Sequence, residues 1–432
     1  MKQTWRALLL SFVIISCGDR SVRNGTYDDV LVRKMSILLN RHEHFLTRQM
    51  VNKHRHNIPP AELGLYTAFI QNGLNQTIAS NATINELINS DHQLTDSLLI
   101  QLKLIQRDNF IKLFDYRKAA ATGRELMAKF PDALDSLTSH RIANKNRIYE
   151  GLQDTPAQRT VWRGAGVVKW TRDKIGLMTI PVATTDITEG FALDTRAGIS
   201  TIMRSYADKL KLRMTGVTYE EGSGITGRTF QTELGIADSL SIGDLKVYNV
   251  VFQVLPDELL SFPSIDYSIK GIIGFPVILQ WKHFTINNEA GSLTLLKESD
   301  SASLTNLAFD EAAIVLQTYS DKDTLQFYVD TGATSSELFY NFFNEKTSLV
   351  KRNARTDSIE VGGAGGIETK LAYILPTLNL TVGNNQATLQ DVHILTKPTY
   401  KGQNYHGNLG HDFFRQFKEI TFDFNKMSIS VK

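Results

Sequence analysis

The stretch QFYVDTGATSSELF, residues 326–339, decides the fold, because it joins a β-forming run to a carboxylate at a small, polar turn. Aromatic and β-branched residues lead into Asp330 and favour a strand that ends there. A similar stretch, GFALDTRAGISTI, occupies residues 190–202 and places Asp194 at the same point of its own run. The chain therefore holds two strand-ending Asp-Thr pairs.

Further landmarks follow each Asp-Thr pair in the same order. Gly271 opens GIIGFPVILQW 77 positions after Asp194, and Gly407 opens GNLGHDFFRQF 77 positions after Asp330. Between these anchors, one copy has GSGITG and SIGDLKVYNV, and the other has GGAGG and TVGNNQATL. Several landmarks at nearly constant spacing predict an internal repeat of one module, with the Gly and Asx turns forming hairpins.

The texture of the sequence changes near residue 159. Before it, apolar residues recur at helical spacing, with Pro59-Pro60 opening one run and Pro131 ending another. After it, short β-rich runs alternate with Gly, Asn and Asp turns, which is typical of an all-β architecture. We therefore predict a multidomain α + β protein: an α-helical domain over 18–158, a first β lobe over 159–305 and a second β lobe over 306–432.

The N-terminus predicts export. A positive start is followed by the short apolar run of residues 7–15, which is typical of a secretory signal peptide and too short to span a membrane. Ile14-Ile15-Ser16-Cys17 resembles a bacterial lipobox, and Cys17 is the single cysteine of the chain. We predict a signal over 1–17 and a lipid-anchored protein of the bacterial cell envelope. The alternative is an ordinary cysteine inside a cleaved signal.

Composition excludes some classes of function. Of 432 residues, 42% are hydrophobic and 21% charged, as in folded soluble domains, and the formal charge of +2 predicts no nucleic-acid partner. The histidines His42, His44, His54 and His56 lack the four-residue spacing of helical metal ligands, so we interpret them as a solvated basic segment. We predict no metal and no cofactor.

The repeated module resembles the pepsin-like and retropepsin-like aspartic proteases over about residues 160–432. The resemblance implies two barrel-like β lobes that bring Asp194 and Asp330 together as a catalytic dyad. It implies an aspartic endopeptidase that activates water to hydrolyse a peptide or protein substrate. Two carboxylates at close range share one proton, so one accepts a proton from water while the other donates a hydrogen bond to the substrate carbonyl.

The resemblance also implies roles for the neighbouring residues. Thr195 and Thr331 would brace the dyad across the lobe boundary, and Gly332 would shape the turn after Asp330. The Gly-rich hairpins would act as covers over the substrate. The candidate cover residues are Gly224, Gly227, Gly363 and Gly365.

The first copy departs from the pattern, since it reads Asp194-Thr195-Arg196 and has Pro276 where the second copy has Asp412. Arg196 either points at the dyad and holds a carboxylate ionised, which would abolish proton sharing, or points outward and leaves it intact. An active endopeptidase and a non-catalytic peptide-binding or scaffold lipoprotein therefore both stay open. A homodimer that uses only the second copy is a third possibility.

The helical domain has its own two interpretations. Tyr116, Ala119 and Pro131 resemble the second helix of a tetratricopeptide-like hairpin, but no repeat of that period is evident. The domain is either a helical spacer or a docking surface for a protein partner.

Overall fold

The computed structural model describes residues 27–162, 164–184, 186–222, 229–297, 305–363, 366–398 and 404–432. The predicted signal with Cys17 lies outside these ranges, as do the candidate cover residues Gly224, Gly227 and Gly365. No helix within the described ranges has both the length and the apolarity to cross a membrane. The lipid anchor stays a prediction.

Helices form the N-terminal region, as predicted. Their starts carry fitting caps: Asp28 accepts hydrogen bonds from the backbone of the first turn, Thr95 does the same, and Pro60 lies at the first turn of its helix. The buried faces pack on one another around Met35, Tyr66 and Leu102. The helices are α1 Asp29–Asn40, α2 His44–His54, α3 Pro60–Gly73, α4 Thr77–Ile88, α5 Asp96–Lys112, α6 Tyr116–Lys129 and α7 Ser136–Leu152.

The first β region runs from residue 159 to 295. Most of its strands pair in the order β1-β9-β6-β12-β5-β4-β8-β7. Its elements are β1 Arg159–Trp162, β2 Val167–Lys169, β3 Thr171–Arg172, β4 Met178–Ala183, β5 Thr188–Leu193, β6 Ser200–Met203, α8 Arg204–Lys209, β7 Arg213–Gly222, β8 Thr229–Ile242, β9 Leu245–Leu255, β10 Ser261–Phe262, β11 Tyr267–Ser268, β12 Gly271–Ile273, α9 Phe275–Leu279, β13 His283–Asn287 and β14 Ser292–Leu295.

The second β region runs from residue 307 to 431. Its main sheet has the order β15-β16-β17-β22-β18-β21-β20-β19. Its elements are β15 Leu307–Asp310, β16 Ala313–Ser320, β17 Asp323–Val329, β18 Glu337–Leu338, α10 Tyr340–Glu345, α11 Thr347–Asn353, β19 Arg355–Gly363, β20 Gly366–Val382, β21 Asn385–Leu395, β22 Gly407–Leu409, α12 His411–Phe414, β23 Glu419–Asp423 and β24 Ser428–Val431.

Each main sheet returns on itself through an extra pairing. In the first, β8 pairs with β9 as well as β4, and the β4 link is the single pair Ala183 with Ser241. In the second, β16 pairs with β17 and meets β20 at the single pair Tyr319 with Thr381. The helical region and the β-rich sheets are confirmed, whereas barrel closure of each lobe stays an interpretation.

The hairpins predicted from Gly-Asx turns are confirmed. The β8–β9 turn passes through Gly243, and the β20–β21 turn passes through Gly383, with φ of 54° and 59°. Glycine adopts such positive φ values without the steric cost that a side chain brings, which explains why both copies carry Gly at this point.

A third sheet joins the two copies. Strands β13 and β23 come from different copies and pair antiparallel, with Thr285 opposite Thr421 and their hydroxyls 2.8 Å apart. These threonines are 136 positions apart, which is also the separation of Thr195 and Thr331. Equivalent residues therefore face each other across a pseudo-twofold axis. Because this sheet is shared, the domain limits at 158/159 and 305/306 stay predictions.

The helical region packs on both copies. The carboxamide of Asn144 on α7 bridges the backbone of Glu220 on β7, with Nδ2 2.6 Å from the carbonyl oxygen and Oδ1 2.9 Å from the amide nitrogen. His42, at the turn between α1 and α2, hydrogen-bonds Asp310 through Nδ1 at 2.5 Å. His44 is buried and stacks on Phe69, so the prediction of a solvated basic segment is wrong for His44.

Candidate active site

Equivalent strands deliver the two aspartates. Strand β5 ends just before Asp194, and β17 ends just before Asp330, each beside a parallel strand that opens with the repeated glycine. The amide of Asp194 donates to the carbonyl of Ile273, and that of Asp330 to Leu409, both at 3.0 Å. The two Asp-Thr turns therefore begin from matching backbone geometry.

The repeated glycines are explained by close packing. A Cβ at Gly271 would lie 2.3 Å from the ring of Phe191, and one at Gly407 would lie 2.2 Å from the carbonyl oxygen of Glu337. A side chain at Gly271 would press on β5, the strand that leads to Asp194, whereas one at Gly407 would press on β18, the antiparallel neighbour of β22. Glycine is therefore needed for space at both ends of the repeated spacing, although the neighbouring strand differs.

Two threonines join the copies reciprocally. The amide of Thr195 donates to Oγ1 of Thr331 at 3.0 Å, and the amide of Thr331 donates to Oγ1 of Thr195 at 3.1 Å. Each hydroxyl also donates at 2.7 Å to a carbonyl of the opposite copy, that of Val329 or Leu193. Both threonines are almost fully buried, so these bonds fix the two turns relative to each other.

The two carboxylates face one another at this junction. Oδ1 of Asp194 accepts hydrogen bonds from the amides of Arg196 at 2.7 Å and Ala197 at 3.1 Å, and Oδ1 of Asp330 accepts one from Gly332 at 3.1 Å. A Cβ at Gly332 would lie only 2.4 Å from Cγ of Asp194. Gly332 is therefore required for space rather than for an unusual φ, since it is absent from the positive-φ glycines of the described chain.

Arg196 points at the dyad. Its Nη1 lies 3.7 Å from Oδ2 of Asp330 and donates to Oδ1 of Asn408 at 2.6 Å. Its guanidinium carbon lies 4.3 Å from the ring centre of Tyr328, a cation–π contact. The side chain thus crosses from the first copy into the second, which answers the question that the sequence left open.

Burial and charge set the protonation of the pair. Burial, and then the charge of Asp330, raise the pKa of Asp194 to about 7, although backbone amides oppose the shift. Burial also raises the pKa of Asp330, but there the charge of Arg196 is the strongest opposing influence. Because Arg196 acts mainly on Asp330, we infer that the shared proton resides on Asp194.

A cavity of about 760 Å³ contains both aspartates. Its lining includes Asp194, Arg196 and Asp330, together with residues Tyr219 to Gly222 of the first hairpin. No residue of 355–360 or 368–382, the part of the second hairpin whose side chains the structure describes, lines it. Gly363, predicted as part of a cover, pairs with Gly366 at the tip of that second hairpin.

The opposite wall of the cavity comes from the helical region. Residues of α5 and α7, together with the α1–α2 turn, contribute charged and apolar side chains to it. None of these helical residues was predicted from the sequence to belong to the site. Helical-wall residues on this cavity include His42, Arg107, Lys112, Asn144, Lys145 and Tyr149.

Sequence reasoning also missed neighbours of the dyad. Asn408 and Tyr328 position Arg196, and Glu337 lies close enough for its pKa to be affected by Arg196 and Asp330. Burial raises the pKa of Glu337 to about 7. Asn408 stands one residue after the repeated Gly407, so the motif itself pointed toward it.

Two aspartates are thus held at one cavity by threonines that bond to each other across a pseudo-twofold axis. In the comparisons with known proteins, residues 180–277 match the family described as aspartyl protease. This segment lies in the first copy, the one with Arg196, so an intact Asp-Thr-Gly triplet is not what carries the similarity.

The chain is also similar to a solved structure, a retropepsin-like aspartic protease from Rickettsia conorii. The two are 18% identical, and the match covers 32% of this chain and 91% of that one, with a TM-score of 0.21. No curated protein sequence matches the chain.

Proposed function

We propose that this protein is an aspartic endopeptidase with Asp194 and Asp330 as its catalytic pair. The observation that carries the proposal is the reciprocal bonding of Thr195 and Thr331, which holds two half-buried carboxylates at one cavity. Structural ion pairs also shift carboxyl pKa values, but two acids of like charge with a raised pKa are the arrangement that hydrolysis by activated water needs.

The two aspartates take different roles in the reaction. Asp330, ionised beside Arg196, accepts a proton from water as the water oxygen attacks the peptide carbonyl carbon. Asp194, protonated, donates a hydrogen bond to the carbonyl oxygen as negative charge develops on it. When the carbon–nitrogen bond breaks, the proton on Asp330 passes to the leaving amine, and the pair returns to its starting state.

Arg196 is compatible with this chemistry because its charge lowers the pKa of Asp330 more strongly than that of Asp194. A cation placed evenly between them would ionise both and remove the proton that Asp194 must donate. Contacts to Asn408 and Tyr328 instead hold the guanidinium on the Asp330 side. The positive charge of Arg196 therefore makes Asp330 the base and leaves the proton on Asp194.

The direct test is digestion of a random peptide library by the mature protein across pH, with and without a statine-type inhibitor. We expect inhibitable internal cleavage that requires both aspartates. Binding of library peptides without cleavage at any pH would refute the enzyme and leave the peptide-binding lipoprotein as the function.

We further propose that the mature chain is lipidated at Cys17 and held at a membrane of the bacterial cell envelope. The support is the lipobox-like Ile14-Ile15-Ser16-Cys17 after a short apolar run. Metabolic labelling with a fatty-acid analogue, in the native chain and in Cys17→Ala, tests this proposal. A protein partner of the helical domain is a separate proposal, supported by its exposed apolar residues Val30 and Ile78.

A further inference from the structure

Arg107 on α5 is buried in the wall of the cavity that contains the dyad. The residue is 6% exposed, and its Nε has no hydrogen-bond partner in the described part of the chain. The guanidinium makes a long 3.5 Å contact from Nη2 to the carbonyl of Ile142 and lies 5.2 Å from the ring centre of Tyr149. Most of its five donors are therefore unused.

The carboxylates nearest to Arg107 are bound to other cations. Asp108 pairs with Lys112 at 2.7 Å, and Glu311 pairs with Lys145 at 2.7 Å. No carboxylate of the described residues lies within ion-pair distance of the Arg107 guanidinium. Arg107 is thus a cation of this wall without an acidic partner.

The other cations on the cavity lie beside a carboxylate, whereas two carboxylates of the first hairpin have no cation of the described residues within ion-pair distance. His42 pairs with Asp310, and Arg196 lies beside Asp330. On the hairpin side, Glu221 accepts a hydrogen bond from the amide of Gly222. Glu220 is bound through its backbone by Asn144 and leaves a further carboxylate on the lining, away from ion-pair contact with Arg107.

A buried, unpaired guanidinium is costly unless an anion completes it. The planar fork of arginine matches the two oxygens of a carboxylate, and such bidentate pairs are strong when water is excluded. The rest of the lining is largely apolar, including Ile148, Leu152 and Phe275, which suits the side chains of a peptide. The wall therefore offers a place for one negative group at the end of an apolar ligand.

The wall that carries Arg107 is attached to the lobes. The Asn144 carboxamide binds both backbone groups of Glu220 on the first hairpin, and the Lys145–Glu311 ion pair joins α7 to the second copy. A ligand between Arg107 and the dyad would contact all three parts of the molecule.

We propose that Arg107 is a specificity-determining residue that binds a carboxylate of the peptide substrate, either the C-terminal carboxylate or an acidic side chain. The inference rests on the proposed peptidase function, since it names the substrate class of the same cavity. The preferred substrates are therefore peptides that carry a carboxylate within reach of Arg107, rather than neutral ones.

Binding is measured on the full chain made inactive by Asp330→Asn, so that cleavage does not interfere. The probes are fluorescently labelled random pentapeptides that lack Asp and Glu, with either a free or an amidated C-terminus. A third pool is amidated but contains Glu. We expect roughly tenfold or tighter binding of the free-acid pool, or of the Glu pool, relative to the neutral amide, as for a hydrogen-bonded charge pair.

Arg107→Met should remove this preference, and Arg107→Lys should retain part of it. Arg147→Met, which removes an exposed cation of α7, is the matched control and should change nothing. If Arg107→Met does not fold, Arg107→Lys and the pool comparison still decide. Equal binding of all pools, or no binding of any, overturns the proposal. Binding with the expected preference but no cleavage by the native chain would instead refute the peptidase and keep the subsite.

Discussion

In the second lobe, the chain after Asp330 passes through Gly332, whereas the same place in the first lobe holds Arg196. The backbones nevertheless agree: Phe275 donates to the carbonyl of Ala197 at 2.8 Å, and the equivalent bond, from His411 to Ala333, is 2.9 Å. The same backbone turn therefore accepts either Gly or Arg at this place. Only Gly332 must stay small, because the carboxylate of Asp194 lies next to it.

A second difference lies just behind the turns. In the second lobe, Oδ1 of Asp412 accepts hydrogen bonds from the amide and hydroxyl of Ser336 at 2.8 and 2.6 Å. In the first lobe, Pro276 replaces that aspartate, and its carbonyl accepts a bond from Gln158 at 2.7 Å. In both lobes a serine hydroxyl accepts a hydrogen bond from a glycine amide at 3.0 Å. The pairs are Ser200 with Gly274 and Ser336 with Gly410. The first lobe therefore uses a residue near the helical region where the second uses its own carboxylate.

The largest expected effect breaks the equivalence of the two aspartates. Asp330→Asn and Asp194→Asn should each lower kcat/KM by about 1000-fold, since each removes a proton acceptor or donor from the reaction. Peptide cleavage under first-order conditions measures this loss. Asp321→Asn, an exposed aspartate with φ of 52° that asparagine also adopts, is the control. Full activity in Asp194→Asn would show that the second lobe acts without the first.

The next effect concerns the space that Gly332 leaves for the carboxylate of Asp194. Gly332→Ala places a methyl group 2.4 Å from Cγ of Asp194, so the carboxylates must move apart. We expect kcat to fall by about 100-fold with little change in KM, as for a small misplacement of reacting groups. Ala333→Gly removes a methyl one residue later and serves as the control. Unchanged kcat in Gly332→Ala would mean that the dyad is not closely spaced.

The pH profile sharpens the electrostatic difference between the lobes. Activity of the native chain should fall as pH rises through about 7, because Asp194, whose pKa is raised to that value, then loses the proton it donates. It should fall again at low pH as Asp330 becomes protonated. In Arg196→Gly, loss of the cation raises the pKa of Asp330 further, so the acid limb should move to higher pH.

Arg196→Lys is the conservative variant for this measurement, since it keeps the charge and should keep more of the native acid limb than Arg196→Gly. The neighbouring Glu337, whose pKa is raised to about 7, titrates in the same range, so Glu337→Gln must be measured beside them. An acid limb that stays in place in Arg196→Gly would contradict the assignment of Asp330 as the ionised member.

The smallest effect tests the bracing behind the turns. Asp412→Ala should lower the free energy of unfolding by about 1 to 3 kcal/mol, because the buried Ser336 loses the acceptor of two partly buried hydrogen bonds. Chemical denaturation measures the change. Asp391→Asn removes the charge of an exposed partner of Arg355, at a φ of 47° that asparagine also adopts, and should cost no more than about 1 kcal/mol. Equal losses in both variants would show that the second lobe does not depend on Asp412.

The repeat in the sequence predicted much of this arrangement, because the constraints behind it are local and occur twice. The glycines at 271 and 407 mark close contacts with neighbouring strands, and the Gly243 and Gly383 turns have positive φ. The direction of Arg196 was not predictable in this way. It depends on Asn408, which is 212 residues away in the chain. Asparagine is uncharged, so the sequence does not indicate it as a partner of an arginine.

The helical wall of the cavity was equally hidden from the sequence. Asn144 binds the backbone of β7 through its carboxamide. A single asparagine in a helix does not indicate which strand it will contact. His42 and His44 were interpreted from helical spacing alone, whereas their environment is set by Asp310 and Phe69 after the domains pack. Contacts between domains follow no period along the chain, so they appear only in three dimensions.

Equivalent residues meet on the pseudo-twofold axis at Thr285 with Thr421, and this pairing has a consequence for how the site can vary. In an assembly of two identical chains, a residue placed beside one acid is placed beside both, so a cation would ionise the pair symmetrically. Carrying both copies on one polypeptide removes that restriction. A single arginine can then make one aspartate the base and leave the other as the acid. Two identical chains could not make this distinction by sequence.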